Sequence, residues 1–324
     1  MFHLGIDIAK QTFDVALLTT DKTPKHKQFD NTQAGFIALV AWLETQFVTD
    51  LARLHACLEA TAHYGDPLAR FLVARHVTVS IVNPAAIRAF ARTELARAKT
   101  DKADAARIAR YCKMHEPKAW TPPAECESVL LALVRRLDTL KNMHTMESNR
   151  LEGAGAVVQE SIQAVLGILD EQMGAVQKQI RDHINNHPNL RNKSDLLTSI
   201  PGIGEATAAV LLAELGDVSR FGSAKQAAAF VGLVPRLCES GTSVRGRSVL
   251  CKMGSGHVRK ALYFPALCSL AHNPVIRVMR ERLLAAGKAK MAIVGAAMRR
   301  LVHLVYGVLK SGKPFDPQIA LAKA

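Results

Sequence analysis

Aromatic residues are scarce in this chain: Phe, Trp and Tyr together make up 5% of its 324 residues. A core must therefore be built mainly from aliphatic side chains, which favours helices. Hydrophobic residues still reach 49% and charged residues 22%, and this balance excludes wholesale disorder. The length predicts two or three domains, each large enough to bury a core of its own.

Cysteine is also sparse, and long apolar runs are missing. Six cysteines are present, but none forms a Cys-x-x-Cys pair or has zinc-ligand spacing, so we expect neither a disulfide framework nor a zinc site. No apolar run reaches the ~18 residues that span a bilayer. The first residues lack a basic segment and meet an acid at position 7, unlike a signal peptide. These features predict a soluble cytoplasmic protein with no membrane partner.

Acidic residues are few relative to basic ones. The chain has 42 Lys and Arg against 28 Asp and Glu, a net charge of +14. Residues 191–324 hold 20 of the basic and 7 of the acidic residues, which leaves +1 for the first 190. A basic excess in one segment favours a nucleic-acid partner. A membrane surface is the alternative, but the aromatic residues do not lie on a basic amphipathic helix, as that partner would require.

Residues 1–118 predict a mixed α/β domain. Three strands come first, then a helix, and after it strands alternate with helices in the order βββαβαβα. Asn31 or Thr32 is expected to cap the first helix. This order is typical of the RNase H-like, or RuvC-like, fold, in which helices cover a mixed sheet.

Four acids fall at matched points of this predicted fold. Asp7 ends the first strand, Glu59 ends the strand after the first helix, and Asp101 and Asp104 open the last helix on one face. Singly, Asp101 and Asp104 would oppose the helix dipole and Glu59 would be a loop residue. Together, four converging carboxylates would repel one another unless a hard divalent cation lay among them. We therefore predict a Mg²⁺ site that also bridges phosphate.

Residues 119–190 predict a helical arm. A Pro-rich linker is followed by two long helical stretches around Gly153-Ala154-Gly155, and the second carries apolar residues at heptad spacing. A coiled coil that joins two copies of the chain is one interpretation, and a spacer is the other.

Residues 191–324 predict a mostly helical domain with two phosphate-binding elements. Gly202 and Gly204 lie in Pro-Gly-Ile-Gly between two helical stretches, a pattern like a helix-hairpin-helix unit. A polar, glycine-rich loop follows, which the residues alone favour as a phosphate-binding loop without a covalent role. If one of its serines is a nucleophile, nothing in the residues distinguishes Ser240, Ser243 and Ser248. Basic residues in and after this loop are predicted to contact nucleic acid: Arg236, Arg245, Arg247, Lys252, His257, Arg259 and Lys260.

The chain resembles the transposases of the insertion-sequence-110 family, the DEDD transposases described as bridge-RNA-guided serine recombinases. The resemblance covers nearly the whole chain and rests on separate motifs in the same order. These are G-I-D-I-A-K at 5–10, E-A-T at 59–61, K-T-D-K-A-D-A at 99–105, S-I-P-G-I-G at 199–204, the stretch from F-V-G-L-V-P-R to E-S-G-T-S-V-R-G at 230–246, G-H-V-R-K-A-L-Y at 256–263 and Y-G-V-L-K-S-G-K-P-F at 306–315.

The resemblance implies a RuvC-like domain at 1–118, a coiled-coil arm at 119–190 and a transposase domain at 191–324. It implies that Asp7, Glu59, Asp101 and Asp104 bind Mg²⁺ and that Ser240 is the nucleophile. That serine would form a 5′-phosphoserine link with DNA, in a tetramer in which the acids of one subunit act with the serine of another. A structured bridge RNA would pair with donor and target DNA, in a bacterial, nucleoid-associated protein.

Two other functions stay open on the residues alone. In the first, the acids would make a RuvC-type Holliday-junction nuclease that uses metal-bound water, and Ser240 would only position phosphate. In the second, the acids would be structural, and the protein would bind nucleic acid without cutting it.

Overall fold

The chain folds into two compact units, Met1–Pro122 and Pro123–Ala324. The computed structural model describes residues 1–19, 23–60, 64–94, 100–236, 239–240, 244–245, 249–251 and 253–322.

A five-stranded mixed sheet forms the centre of the first unit. Its order is β3-β2-β1-β4-β5, in which β1 pairs antiparallel with β2 and parallel with β4. The strands are β1 Phe2–Ile8, β2 Thr12–Leu18, β3 Lys25–Asp30, β4 Leu54–Glu59 and β5 Thr78–Val82. The helices are α1 Gln33–Thr45, α2 Asp66–Val73, α3 Pro84–Thr93 and α4 Asp101–His115. The predicted mixed sheet is confirmed, and so is the pairing of the first strand with the strand after the first helix.

Alternation along β1 builds two different faces of the sheet. Leu4 and Ile6 lie in a core with Leu39 of α1 and Leu68 of α2. Gly5 faces the other way, where the backbone of α4 lies directly against it. The sheet therefore has one face under α1 and α2 and one face under α4.

Threonine side chains cap α1 and α4, and Thr32 is one of the two caps predicted for α1. The hydroxyl of Thr32 accepts a hydrogen bond from the Gly35 amide at 3.2 Å and caps α1. Thr100 does the same for the Ala103 amide at 3.2 Å, so α4 begins at Asp101. A threonine cap thereby places two acids in the first turn of α4.

The second unit is mostly helical. Its first two helices form an antiparallel hairpin, and the buried stripe of the second includes Leu169, Val176 and Ile180, as the heptad spacing predicts. The helices are α5 Glu125–Glu152, α6 Ala156–Asn186, α7 Pro188–Thr198, α8 Glu205–Leu215, α9 Ala224–Val231, α10 Gly256–His272, α11 Pro274–Ala285, α12 Lys290–Ser311 and α13 Pro317–Ala322. The arm helices share one core with the helices that follow. A separate arm at 119–190 and domain at 191–324 therefore stays a prediction.

One helix among the described residues, α12, is long and apolar enough to cross a membrane by length and composition. The sequence alone predicts no membrane-spanning segment. Its most apolar window has a mean hydropathy of 1.4, and 56% of that window is buried inside the unit. Val294, Leu301 and Val305 belong to the core of the unit, so packing accounts for the apolar composition of α12.

The Pro-Gly-Ile-Gly turn joins α7 to α8, as its sequence predicts. Gly202 has φ of +104°, and a Cβ there would collide with the Ser269 hydroxyl and lie 3.0 Å from the Pro265 carbonyl oxygen. Gly204 has open space around it and precedes α8. Packing against α10 is therefore one reason for glycine at 202.

Gly202→Ala is expected to lower the free energy of unfolding by about 2–3 kcal/mol, because it combines a left-handed backbone with a collision. Urea unfolding of the full chain measures this. Gly204→Ala is the matched control and should cost at most about 1 kcal/mol. Adding Ser269→Ala should recover only part of the loss. Full recovery would show that alanine adopts the backbone conformation at 202 with no loss in the free energy of unfolding.

Candidate active site

Two of the predicted acids lie side by side at the ends of neighbouring parallel strands. The register pairs Gly5 with Cys57 and Ile6 with Leu58, and its continuation brings Asp7 level with Glu59. Because side chains alternate along a strand, Asp7 lies on the same face as Gly5, the face covered by α4.

The other two predicted acids come from the first turn of α4. Asp101 is exposed and Asp104 is half-buried. The backbone of Ala105 contacts Gly5, so the start of α4 lies beside the end of β1 that carries Asp7. Two strands and one helix thus bring all four acids to one edge of the sheet.

The electrostatics of Asp7 reflect this convergence. Its pKa is raised to about 6, first by burial and then by the negative charges of Asp104, Asp101 and Glu59, with a smaller contribution from Asp14. A carboxyl group in such surroundings holds its proton well above the ordinary range. The raised pKa thus records negative charges gathered around Asp7.

The acids lie close enough to shift the pKa of Asp7, but among the described residues they are not spaced as a set of metal ligands. Within the described ranges, no group of three or more His, Cys, Asp and Glu side chains is close enough to hold a metal ion. Asp104 instead forms an ion pair with Arg107, whose guanidinium also lies 3.7 Å from Glu94. Arg110 donates two hydrogen bonds to Glu94, at 2.6 and 2.9 Å, which ties the end of α3 to α4.

A fifth acid, which the sequence did not predict, lies beside Asp7. Asp14 of β2 is the register partner of Asp7 and is 5% exposed. Its carboxylate accepts a hydrogen bond from Gln28 at 2.8 Å and lies 2.7 Å from Nε2 of His26, both on β3. The available signal was an acid at an inward position of a strand that is otherwise apolar.

In the second unit, Ser240 lies in one of two short antiparallel strand pairs, which we together call the Ser240 ribbon. One pair is β6, Pro235–Arg236, with β9, Val249–Leu250. The other is β7, Glu239–Ser240, with β8, Val244–Arg245, so Ser240 is the last residue of its strand. The sequence predicts a loop over this stretch. That prediction is wrong for the described residues, because they pair as antiparallel strands.

The base of this ribbon is held by one of the predicted phosphate ligands. Nη1 of Arg259 donates hydrogen bonds to the carbonyls of Val231, at 2.7 Å, and Gly254, at 3.1 Å. The Cys251 amide donates to the Val234 carbonyl at 2.7 Å and closes the base. Arg259 thus has a structural role at the ribbon, and its predicted contact with nucleic acid remains a prediction.

Two other predicted residues line a cavity of about 700 Å³ in the second unit. His257 and Lys260 line it and lie 3.2 and 2.7 Å from the carboxylate of Asp138. The first turn of α8, directly after Gly204, forms another part of its wall. The structure thereby places these predicted phosphate ligands around one opening, with an acid among them.

Of the four remaining residues predicted to contact nucleic acid, two lie among the described residues. Arg236 is exposed on β6, and the backbone of Arg245 lies in β8. Arg247 and Lys252 lie outside the described residues.

Comparison with known proteins agrees with the motifs. A DEDD transposase model, described as "Transposase", matches residues 4–154, and a second, described as "Transposase IS116/IS110/IS902 family", matches residues 194–279. The chain is similar to the pilin gene-inverting proteins of Moraxella lacunata and Moraxella bovis, at 36% and 35% identity over 318 residues, 98% of each chain. It is 24% identical to the transposase for insertion sequence element IS1328 of Yersinia enterocolitica over 300 residues, 80% of this chain and 81% of that one.

These matches define a class of enzymes that act on DNA, the transposases and recombinases. The match at 36% identity over 98% of the chain also assigns it to a particular family. The chain belongs to the IS110 family of transposases.

Proposed function

We propose that this transposase cuts and rejoins DNA with two sets of residues, the acids of an RNase H-like first unit and Ser240 of the second. The observation that supports this most is the convergence of Asp7, Glu59, Asp101 and Asp104 at one edge of the sheet, expressed in the raised pKa of Asp7. A fold that gathers like charges at one place pays for it in stability, which is typical of functional sites.

The acids fit a hard divalent cation by their donor chemistry. They offer carboxylate oxygens only, which suits Mg²⁺ better than softer metals. Asp7 and Glu59 would hold the ion from the strands, and Asp101 and Asp104 from α4. When bound, Mg²⁺ polarises a phosphate oxygen and compensates the charge that develops during phosphoryl transfer. Arg107 forms an ion pair with Asp104 and balances part of the charge of that acid.

Ser240 is the proposed nucleophile because it is the serine of the family's E-S-G motif. Its Oγ attacks a DNA phosphorus, and an Oγ–P bond forms as the bond from phosphorus to the 3′ oxygen breaks. The serine proton passes to the leaving 3′ oxygen, which gives a 5′-phosphoserine link and a free 3′ hydroxyl. Attack by another 3′ hydroxyl then reverses the step on a new strand. Arginines near the ribbon, Arg236 among them, would stabilise the developing charge.

The partners belong to the same proposal. Donor and target DNA would be selected by base pairing with a structured bridge RNA, while the protein holds duplexes by shape and backbone. Two chains would associate through the α5–α6 hairpin and two dimers would form a tetramer. A second candidate is a metal-dependent Holliday-junction nuclease, favoured by the acid cluster alone, in which no covalent adduct forms.

If the reaction is stopped before strand transfer, we expect DNA to be covalently attached to Ser240. Purified protein would be incubated with Mg²⁺, RNA from the DNA that flanks its gene and labelled element-junction DNA. Denaturation, protease digestion and mass spectrometry should detect a nucleotide on the peptide that contains Ser240.

The controls separate the two candidates. Ser240→Ala should give no adduct and no strand transfer, and omission of RNA should also abolish the adduct. Ser243→Ala and Ser248→Ala are matched variants that should retain it. Cleaved DNA without adduct, unchanged in Ser240→Ala, would instead identify the nuclease.

A further inference from the structure

The strand pair that carries Ser240 is connected along the chain to the rest of the second unit only through β6 and β9. Both β7 and β8 lie between these two strands in the sequence. The register of β6 and β9 pairs Pro235 with Leu250 and Arg236 with Val249. The placement of Ser240 therefore depends on the base of the Ser240 ribbon, where α9 leads into β6 and β9 leads into α10.

Arg259, in the first turn of α10, joins the two chain segments at this base. Its Nη1 donates hydrogen bonds to the carbonyl of Val231, the last residue of α9, and to the carbonyl of Gly254, just before α10. Nη1 of a guanidinium carries two N–H groups, and both are used here. Because a charged donor forms stronger hydrogen bonds than a neutral one, Arg259 fastens the segment that enters the ribbon to the segment that leaves it.

The same two segments also touch through their backbones. The Ser255 amide donates a hydrogen bond to the Phe230 carbonyl at 3.3 Å. Gly232 and Gly254 have φ of +77° and +149°, and a Cβ on Gly254 would lie 2.6 Å from the Gly232 amide nitrogen. A Cβ on Gly232 would in turn lie 2.7 Å from Nη1 of Arg259. The guanidinium therefore lies across a close contact between two backbones.

A buried carboxylate fixes the start of the helix that carries Arg259. The side chain of Glu214, on α8, is 6% exposed. Its Oε2 accepts a hydrogen bond from the Ser255 hydroxyl at 3.1 Å, and its Oε1 accepts one from Nε of Arg135 at 3.3 Å. The Ser255 hydroxyl oxygen also accepts from the Val258 amide at 3.3 Å and caps α10. Because separating a buried charge from its partners is costly, α10 begins at a defined place relative to α5 and α8.

We propose that Arg259 is a positioning residue for the transposase reaction, which holds the two segments of the ribbon base together and thereby fixes the strand that carries Ser240. This inference rests on the proposed function, because it concerns the placement of the proposed nucleophile. To reach a phosphate by moving, Arg259 would have to release two carbonyls that it now satisfies. A lysine keeps the charge but not the planar fork, so positioning and phosphate contact predict different results for Arg259→Lys.

The rate of adduct formation, measured separately from DNA affinity, tests this role in the full chain. With Mg²⁺, RNA from the DNA that flanks its gene and saturating element-junction DNA, Arg259→Gln should form the Ser240 adduct about 10²-fold more slowly, because misplacing a catalytic group costs about that factor. Arg259→Lys should recover only part of the loss. Fluorescence anisotropy with duplex DNA in EDTA should give both variants a slope of log affinity against log salt within about 0.3 of the wild-type value, whereas loss of a phosphate contact would change it by about 0.9.

Two further variants separate positioning from charge and from folding. Ser255→Ala removes no charge, yet it removes the link between Glu214 and the start of α10, so the adduct should form about tenfold more slowly with the salt slope unchanged. Arg277→Gln removes an arginine at an exposed position of α11 and should keep the wild-type rate. Circular dichroism gives the folded fraction to which each rate is normalised.

Three results would overturn the role proposed for Arg259. The first is a wild-type rate of adduct formation in Arg259→Gln, and the second is an equal loss of rate in Arg277→Gln. The third is a salt slope changed by about 0.9 in Arg259→Gln and restored, together with the rate, in Arg259→Lys, which would identify a phosphate contact. If the wild-type protein itself forms no adduct on Ser240, the proposed function fails, and the positioning role fails with it.

Discussion

Asp7→Asn is expected to reduce DNA cleavage by about 10³-fold or more while the protein stays folded. Asp7 lies at the centre of the acid site, between the end of β4 and the first turn of α4. An amide keeps the shape of the side chain but removes the charge that would hold a divalent cation. Loss of charge stabilisation in phosphoryl transfer costs several kcal/mol of transition-state free energy. Single-turnover cleavage of labelled DNA measures the loss.

The same variant should be more stable than the wild type at neutral pH. The pKa of Asp7 is about 6 in the folded chain against an ordinary 3.8, so the folded state holds a proton that the unfolded state has released. The stabilisation from this proton is complete below about pH 4 and is lost as the pH rises through 6. Because Asp7 is partly exposed, we expect the wild type to lose about 1–2 kcal/mol relative to Asp7→Asn over that range.

Urea unfolding in EDTA, from pH 4 to pH 8, compares the two proteins. Glu44→Gln removes a charge from an exposed position of α1 and should follow the wild type. Added Mg²⁺ should then stabilise the wild type at pH 7.5 but not Asp7→Asn, because a ligand that binds only the folded state shifts unfolding. Equal cleavage by Asp7→Asn and wild type would mean that the acids are structural.

The sequence alone predicts where the four acids lie, because their placement depends only on strand alternation, the order of the elements and the start of one helix. Strand alternation determines which face Asp7 and Glu59 occupy, and the order of strands and helices makes β1 and β4 neighbours. The i, i+3 spacing of Asp101 and Asp104 places both acids on one face of the first turn of α4. Each of these steps uses local patterns that neighbouring parts of the fold do not override.

The missed features depend on contacts between distant residues. Asp14 is an ordinary strand residue until the register of β2 with β3 brings His26 and Gln28 onto its carboxylate. Arg259 looks like one more surface cation in a basic segment, and only the tertiary fold brings the Val231 and Gly254 carbonyls to it. Charge patterns indicate that a segment is basic, but not which of its cations are already engaged within the protein.

Gly5→Ala is expected to destabilise the first unit by roughly 3 kcal/mol or more and to abolish most of the cleavage. A Cβ at position 5 would overlap the carbonyl oxygen of Ala105 and the amide nitrogen of Ala109, and it would lie 2.8 Å from the Ala109 Cα. These are backbone atoms of α4 that no side-chain rotation can move away. The helix would have to lift from the sheet, and overpacking of this kind costs several kcal/mol.

This lift would also disturb the acid site. Asp101 and Asp104 are positioned only by the start of α4, whereas Asp7 and Glu59 are positioned by the sheet. Moving the helix therefore separates the two halves of the site, and a displacement of about 1 Å in a catalytic group can cost about 10²-fold in rate. Cleavage by Gly5→Ala should fall by at least that factor even under conditions in which the variant is folded.

Urea unfolding and single-turnover cleavage of the full chain measure both effects. Gly65→Ala is the matched control in the same unit, since a Cβ there would meet only an ordinary contact at 3.4 Å with the Ile8 side chain. It should stay within about 1 kcal/mol of the wild type. Ala109→Gly added to Gly5→Ala should give no rescue, because it leaves the backbone of α4 in place. Rescue by that change, or wild-type activity in Gly5→Ala, would show that α4 does not rest on Gly5 as closely as its position indicates.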